Sequence, residues 1–472
     1  MKIIKSRTNK STVEALNLLE AATEKLFPAQ DYVNNSLVYG YLTNNKKDWL
    51  FLTSNSNFQV ELLNENDAKT RFNIGEIRKT SPIQELSPTI IKQCYESSHI
   101  VNTRLLVDKL ASYISEFVYL DDDRLYDFLA IWIMGTYHFR CFTYYPYIWL
   151  NAEKGSGKST LLTLLSKLSF NGLLLDAASS TASLYRLIET SSPTLFIDEF
   201  EMLEKTKATD LGSILRAGFH TDSKLAKSKR NNDDFEPEMF HVYCPKALAS
   251  INEIQDTLKE RCITIRMLKK PKNVERRKFY PNEEKKSIQK LKEMLYLYGL
   301  THASEISAKY VGRSWNITLP ETITDREKDL WFPLTTMAFH IDLEYATSYT
   351  DELHDLMNKS SEERKYDNYL EHDGTKLIIF LYRLVTRVRP DIEKDNYSWY
   401  SNDSIYQFYA DHQNRDISEH VNKNTLGKKL SKLNLQQKTM NYGKTKRYYQ
   451  LDTDVINQLA ERYDIKDEYL EM

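Results

Sequence analysis

Between residues 147 and 268, short apolar runs alternate with segments of helical spacing. The runs fall at 147–151, 173–176, 194–198, 242–249 and 262–267, each of strand length. The stretches between them are too long for hairpin turns. The pattern therefore predicts crossovers and a mainly parallel sheet covered by helices. Upstream the rhythm differs. Residues 36–42 and 48–53 alternate with period two around Asn44-Asn45-Lys46-Lys47, which predicts an antiparallel pair. A helix is expected before them, from about 11 to 26. From 101 to 142, Leu105, Leu106, Leu110, Tyr113 and Ile114 recur at helical spacing and predict helices packed on the sheet domain. A charged linker follows residue 270, with further helices to about 390. Near the end, Leu426, Leu430 and Leu433 share one face of a short amphipathic helix, and two strands are expected at 435–440 and 445–451 around Gly443.

Composition narrows the class. A chain of 472 residues suggests about three domains, and 41% hydrophobic residues suffice for several cores. The net charge of −2 gives no chain-wide attraction to nucleic acid, so any such contact must come from local patches. Cys94, Cys141, Cys244 and Cys262 have no metal-ligand spacing and read as reduced, buried thiols of a cytoplasmic protein. The N-terminal residues lack the apolar core of a signal peptide, and the longest apolar stretch, around 128–134, is too short to span a bilayer, so no membrane role is expected.

The densest chemistry lies at the first predicted strand of the alternating region. Ala152-Glu153-Lys154-Gly155-Ser156-Gly157-Lys158-Ser159 follows the apolar run 147–150 and precedes the helical pattern Thr160-Leu161-Leu162-Thr163-Leu164-Leu165. Strand, glycine loop, helix is the setting of a P-loop. The glycines let backbone N–H groups close around phosphate oxygens, and the helix aims its positive end at them. Residues 152–160 are thus the expected cradle for ATP. Lys158 should reach the β- and γ-phosphates and Ser159 should ligate Mg²⁺. Ala152 stands where the pattern has glycine, and a small residue serves there. About 40 residues on, Pro193-Thr194-Leu195-Phe196-Ile197-Asp198-Glu199 is an apolar run ending in two carboxylates. It reads as a buried strand presenting acids at its C-terminal edge, with Asp198 as the Mg²⁺ partner and Glu199 as the base that orients water. The two motifs together are far more specific than either alone.

Further runs narrow the choice. Cys244-Pro245-Lys246-Ala247-Leu248-Ala249-Ser250-Ile251-Asn252 ends the fourth strand on a polar residue. Asp256-Thr257-Leu258-Lys259-Glu260-Arg261 places an arginine just before the fifth. With Leu215-Arg216-Ala217-Gly218-Phe219-His220 and the stretch 319–334, these passages resemble the AAA+ helicases of mobile genetic elements, among them the MCM-like replicative helicases of staphylococcal cassette and pathogenicity-island elements. The resemblance extends from about 120 to 460 and leaves the first hundred residues uncovered. It implies an α/β fold: an AAA+ P-loop ATPase with a parallel sheet, beside an α+β N-terminal domain and a C-terminal winged helix. The expected division is 1–100 for the N-terminal domain, 101–145 for a helical linker, 146–270 for the ATPase core, 271–370 for a helical lid and linker, and 371–472 for the winged helix. It also implies a homo-oligomeric ring, a hexamer, that moves along single-stranded DNA, engages duplex DNA and meets replication partners. By carry-over, Asn252 is the sensor-1 residue, with Ser250 as the alternative. Arg261 is the arginine finger given to a neighbour, Arg326 is sensor 2, and Arg216 is a subunit-interface residue. The plain alternatives are local ion pairs, Arg261 with Glu260 and Arg326 with Asp329.

Two segments are candidates for DNA contact. Residues 223–235 read as strand, turn, strand in the position of the channel hairpin of MCM-like helicases, where Lys224, Lys227, Lys229 and Arg230 would meet phosphates. The alternative is a solvated hairpin balanced by Asp233 and Asp234. Residues 420–451 contain no Asp or Glu. There Lys428, Lys429 and Lys432 on the short helix, with Lys444, Lys446 and Arg447 on the following hairpin, fit a winged helix on DNA, or else a wing that only packs on the ATPase. Two other activities suit the same residues: a DNA-dependent ATPase that loads or remodels a partner without unwinding, and a winged-helix DNA-binding switch that uses ATP only to assemble.

Overall fold

A computed structural model describes residues 25–43, 48–55, 59–77, 83–97, 100–175, 181–200, 211–231, 234–312, 317–371, 373–394, 397–412, 435–442 and 444–463, with Lys423, Leu426, Gly427, Leu430, Leu433 and Ile465. The chain divides into two compact units, Met1–Ser360 and Ser361–Met472.

The first unit opens with β1 (Lys25–Leu26), β2 (Gln30–Val33), β3 (Ser36–Leu42), β4 (Trp49–Ser54) and β5 (Val60–Asn64). Strands β2 to β5 form an antiparallel meander, with Leu42 opposite Trp49 as the alternation required. Strand β1 pairs in parallel with β6 (Glu76–Ile77). This corrects the end of the expected N-terminal helix at Leu26; the rest of that helix lies outside the described residues. Helix α1 (Glu65–Phe72) starts on the Asn64 side chain and ends on Asn73 in the left-handed region, both ordinary stop signals. Helix α2 (Pro88–Glu96) is capped by Ser87. Helices α3 (Thr103–Phe117) and α4 (Arg124–Thr136) follow, and the apolar run 128–134 is buried inside α4.

The central sheet contains β7 (Tyr147–Ala152), β8 (Gly172–Leu175), β9 (Thr194–Ile197), β12 (Lys246–Ser250) and β13 (Cys262–Met267) in the order β13-β7-β12-β9-β8, all parallel. Helix α5 (Lys158–Leu168) crosses from β7, and α6 (Thr181–Ser191) precedes β9. Between β9 and β12 lie a helical stretch over 211–217 and an antiparallel hairpin, β10 (Lys224–Asn231) with β11 (Asp234–His241). The apolar run expected as one strand at 242–249 is therefore split. Residues 242–245 connect β11 to β12, where Pro245 has no N–H for a ladder. A short helix, α7 (Asp256–Lys259), leads into β13.

Helices α8 (Lys285–Gly312), α9 (Asp325–Tyr345) and α10 (Tyr349–Glu371) complete the unit, and the unit boundary falls within α10. Thr324 and Glu327 form a capping box at the start of α9. One core runs from the meander to these helices. Tyr39 Oη donates to the Tyr137 carbonyl and its ring meets Tyr296 and Phe170, while Ser54 Oγ donates to the Leu300 carbonyl at 2.7 Å. A side chain at Gly299 would place its Cβ 2.1 Å from Tyr39 Oη, so glycine is what lets the meander sit on α8.

The second unit holds α11 (Asp373–Arg387), α12 (Asn402–His412), α13 (Thr453–Arg462) and an antiparallel sheet ordered β14-β15-β17-β16, from β14 (Ile392–Lys394), β15 (Tyr397–Ser401), β16 (Gln437–Tyr442) and β17 (Lys444–Gln450). Leu426, Leu430 and Leu433 are buried in its core with Leu381, Tyr449 and Ile456, as their spacing required. The two strands expected at 435–440 and 445–451 are β16 and β17, paired with Tyr442 opposite Lys444.

Candidate nucleotide site

The three neighbouring strands β7, β12 and β9 end on the same edge of the sheet, where an open α/β sheet binds its ligands. From β7 the chain turns through Gly155 (φ +85°) and Gly157 (φ +95°) into α5, which starts at Lys158. Positive φ is cheap only for glycine, and no atom lies within 4 Å of where a Cβ of Gly157 would be. The loop thus keeps an open backbone concavity at a helix N-terminus. Ser156 is buried there with its Oγ unpartnered. An anion with several acceptor oxygens fits this donor-rich hollow.

Lys158 Nζ lies 3.7 Å from Asp198 Oδ1, so the two motifs read separately in the chain meet in space. Asp198 accepts the Glu199 N–H at 2.9 Å, and Glu199 adopts φ +49°. A left-handed conformation costs a residue with a side chain about 1 kcal/mol, which the surrounding structure must offset. Glu153 and Lys154 are exposed at the mouth, and Lys269 pairs with Glu153 at 3.7 Å. Ala152 is buried at the end of β7; Ser159 is exposed and Thr160 half-buried on the first turn of α5.

At the end of β12 the two polar candidates, Ser250 and Asn252, differ in their surroundings. Ser250 is buried, accepts the Trp149 indole N–H at 2.8 Å and donates to the Asn252 carbonyl at 2.7 Å. Its hydroxyl is committed to holding the strand end. Asn252 is exposed, and nearby Glu253 accepts from Asn151 and Lys259 at 2.9 Å each.

The arginines lie elsewhere. Arg261 precedes β13, and its carbonyl accepts the Tyr147 N–H at 3.0 Å, which places it at the N-terminal edge of the sheet. Arg216, Arg261 and Arg326 converge on one open cavity of about 420 Å³, lined also by Tyr144, Phe219 and His220 and by the acids Asp222 and Asp329. Arg261 donates to the Thr257 carbonyl while its Nε is buried without a partner. Burial, then the nearby Arg326 charge, lowers the pKa of its guanidinium. Arg326 pairs with Glu260 at 3.2 Å, so the acid nearest Arg261 in sequence is engaged by a different arginine. The three guanidiniums repel one another, and Asp222, Asp329 and the paired Glu260 oppose that repulsion. The buried Lys246, which sequence reasoning passed over, donates to the Gly218 and Cys244 carbonyls and supports the wall of this region.

Along β10 the register sets Lys227 against Glu238 and Lys229 against Glu236. In the second unit Arg447 is exposed, Lys446 pairs with Asp403 at 3.0 Å, Lys423 pairs with the same carboxylate, and Lys438 lies over the Trp399 ring. Lys444 is at the start of β17. Lys428, Lys429 and Lys432 lie outside the described residues. All four cysteines are buried and free, and no helix among the described residues is long and apolar enough to cross a membrane.

No protein-family model matches the chain, and no curated protein matches it. Among solved structures it is similar to one described as the SCCmec type IV Cch active helicase, at 11% identity over 90% of this chain and 94% of that chain, with a TM-score of 0.36. It is also similar to a full-length MCM homologue from Methanopyrus kandleri (12% identity, 67% and 68% of the two chains, TM-score 0.35) and to the apo form of the NrS-1 C-terminal region (12%, 88% and 96%, TM-score 0.35). At these identities and scores the likeness carries no functional argument, which rests on the geometry above.

Proposed function

We propose that the chain is an ATP-driven DNA helicase or translocase that works as a ring of identical subunits, in the replication of a mobile genetic element. The observation that carries this reading is the split of the phosphate chemistry between two edges of one sheet. The loop with Lys158 and Asp198 occupies the C-terminal edge, and Arg261, Arg326 and Arg216 surround a cavity at the other. A head-to-tail contact would set one subunit's arginines against the next subunit's phosphates, and such a contact closes into a ring when its rotation permits.

Within that interface the residues take separate tasks. The N–H groups of 155–160 and Lys158 would bind the phosphates of ATP. Ser159 and Asp198 would hold Mg²⁺, which when bound neutralises charge on the β- and γ-oxygens. Glu199 would orient the attacking water and take its proton. Asn252 would position the water or the γ-phosphate, and the neighbour's Arg261 and Arg326 would stabilise the charge on the transferring group. Lys224, Lys227, Lys229 and Arg230 on the hairpin would contact single-stranded DNA, and the second unit, read as a winged helix, would add duplex contacts through Arg447 and its neighbours.

The test is strand separation measured beside ATP hydrolysis, with forked and single-overhang duplexes. Unwinding that needs hydrolysis and disappears in Glu199→Gln supports the helicase. DNA-stimulated hydrolysis with no strand separation on any substrate replaces it with a remodelling ATPase.

A further inference from the structure

Far from the nucleotide loop in sequence, two buried histidines from different helices point their ring nitrogens at each other. His302 on α8 and His340 on α9 are 4% and 5% exposed, and His302 Nδ1 lies 3.1 Å from His340 Nε2. Glu344, one turn after His340, completes a cluster whose ligand atoms all lie within 4.8 Å of one another. The cluster lines a cavity of about 300 Å³ with Glu305 and Lys309.

The proton inventory of this cluster is awkward without a cation. His302 Nε2 lies 3.1 Å from the Val101 carbonyl, which can only accept, so Nε2 carries the proton and Nδ1 presents a lone pair. His340 must then place its single proton on Nε2 to meet that lone pair. Its other nitrogen, Nδ1, is left bare toward Glu305 Oε2 at 3.9 Å, acceptor against acceptor. A cation between the rings removes the conflict. Both facing nitrogens become ligands, His340 Nδ1–H turns to Glu305, and His302 keeps its bond to Val101. Two ligands of a tetrahedral ion with bonds of 2.0–2.1 Å sit about 3.3 Å apart, close to the spacing already present. The outer partners are also in place. Glu344 accepts from Thr103 Oγ1 at 3.3 Å and from Tyr345 Oη at 2.8 Å, as metal-bound carboxylates do. Lys309 opposes a cation, but it pairs with Glu305 at 4.0 Å, and the two carboxylates outnumber it.

We propose that His302, His340 and Glu344 form a binding site for a zinc-class transition-metal ion that ties α9 to α8 and to the segment leading into α3. Two imidazoles and one carboxylate select such an ion over Mg²⁺ or Ca²⁺, which prefer all-oxygen shells. The open cavity leaves a fourth position for water. The role is structural, because the cluster has no link to the phosphate loop.

The experiment uses the full chain, stripped with a chelator and titrated with Co²⁺ and then Zn²⁺. The expected result is one Co²⁺ per chain with visible ligand-field absorption, displaced by Zn²⁺ and not by millimolar Mg²⁺, and a melting temperature raised by Zn²⁺. His302→Ala and His340→Ala should lose the absorption. Because both rings are buried and either change could disturb folding, Glu344→Gln at an exposed position is the second variant. It should keep the metal-free melting temperature and bind Co²⁺ at least about tenfold more weakly. The thiols do not compete, since all four cysteines are buried. Absence of Co²⁺ uptake, or uptake unchanged in Glu344→Gln and in a folded histidine variant, overturns the proposal.

Discussion

Mixing two inactive variants gives the sharpest test of the split site. Lys158→Ala removes the side chain that reaches the phosphates. Arg261→Ala removes a guanidinium that cannot serve its own chain's nucleotide. Strand β7 separates the two along the sheet, with Arg261 beside Tyr147 at one end and the loop after Ala152 at the other. Five residue steps span about 17 Å, whereas an extended arginine reaches only ~7 Å from its Cα. Each variant alone therefore has no complete interface, and removing a finger of this kind costs about 10³–10⁵ in turnover. In a fully exchanged equal mixture, an interface is complete when its loop comes from the Arg261 variant and its arginine from the Lys158 variant. By chance about a quarter of head-to-tail interfaces qualify, whatever the ring size. Steady-state hydrolysis should rise toward about a quarter of the wild-type rate if interfaces fire independently, and to less if they are coupled. Arg261→Lys, which keeps the charge without the planar fork, guards against a packing defect beside Phe219. Subunit exchange is followed by energy transfer between labelled chains. Hydrolysis equal to the sum of the two variants, in rings shown to exchange, would refute action between subunits.

Lys158→Ala should weaken nucleotide binding, whereas Glu199→Gln should bind ATP normally and lose turnover; titration of a fluorescent nucleotide beside phosphate release separates the two, and normal hydrolysis by Glu199→Gln excludes that carboxylate as the base. The Asp127 carboxyl is pushed up to about 6, first by burial and then by Glu352, Asp108 and Asp123. A raised acid contributes stability that is present below its unfolded pKa and lost as the pH rises through the folded one, here between about 4 and 6. Asp127→Asn should therefore raise stability at neutral pH by about 1 kcal/mol, after discounting for solvent screening, and the gain should vanish near pH 4 in denaturant melts. Charge reversal at Lys446 and Arg447 should weaken duplex binding and flatten its log–log salt dependence by roughly 0.9 for each phosphate no longer neutralised, read by fluorescence anisotropy; an unchanged slope would remove the β16–β17 hairpin from the DNA-binding surface.

The glycine loop between β7 and α5 was legible because its signal is local. Strand, glycine turn and helix occupy consecutive residues, and Asp198-Glu199 follow one apolar strand whose place beside β12 comes from the parallel pattern. Errors arose where a neighbour in space decides the backbone. The run 242–249 is apolar apart from Pro245 and Lys246, yet residues 242–245 stay outside the sheet and β12 begins only at Lys246, against Leu195. Tyr39 and Gly299 carry no periodic signal that links them, although their contact joins the meander to α8 and makes one core of what composition presents as separate segments. The lone histidines at 302 and 340 likewise say nothing until α8 and α9 are packed.

The arginines mark the same boundary between local and distant information. Arg261 and Arg326 were identifiable singly by their positions before a strand and at a helix start, and for each a nearby acid offered a local pairing. The structure gives Glu260 to Arg326 rather than to Arg261, and leaves Arg261 with a buried, unpartnered Nε beside two other cations. Three guanidiniums around one cavity disfavour one another's charge, and Asp222 and Asp329 on the same lining oppose that repulsion. An anion entering the cavity would ease the repulsion among the three guanidiniums, and this chain's own glycine loop is at the far edge of the sheet. Under the proposed ring, the group brought to this cavity is the phosphate-bearing edge of a second copy.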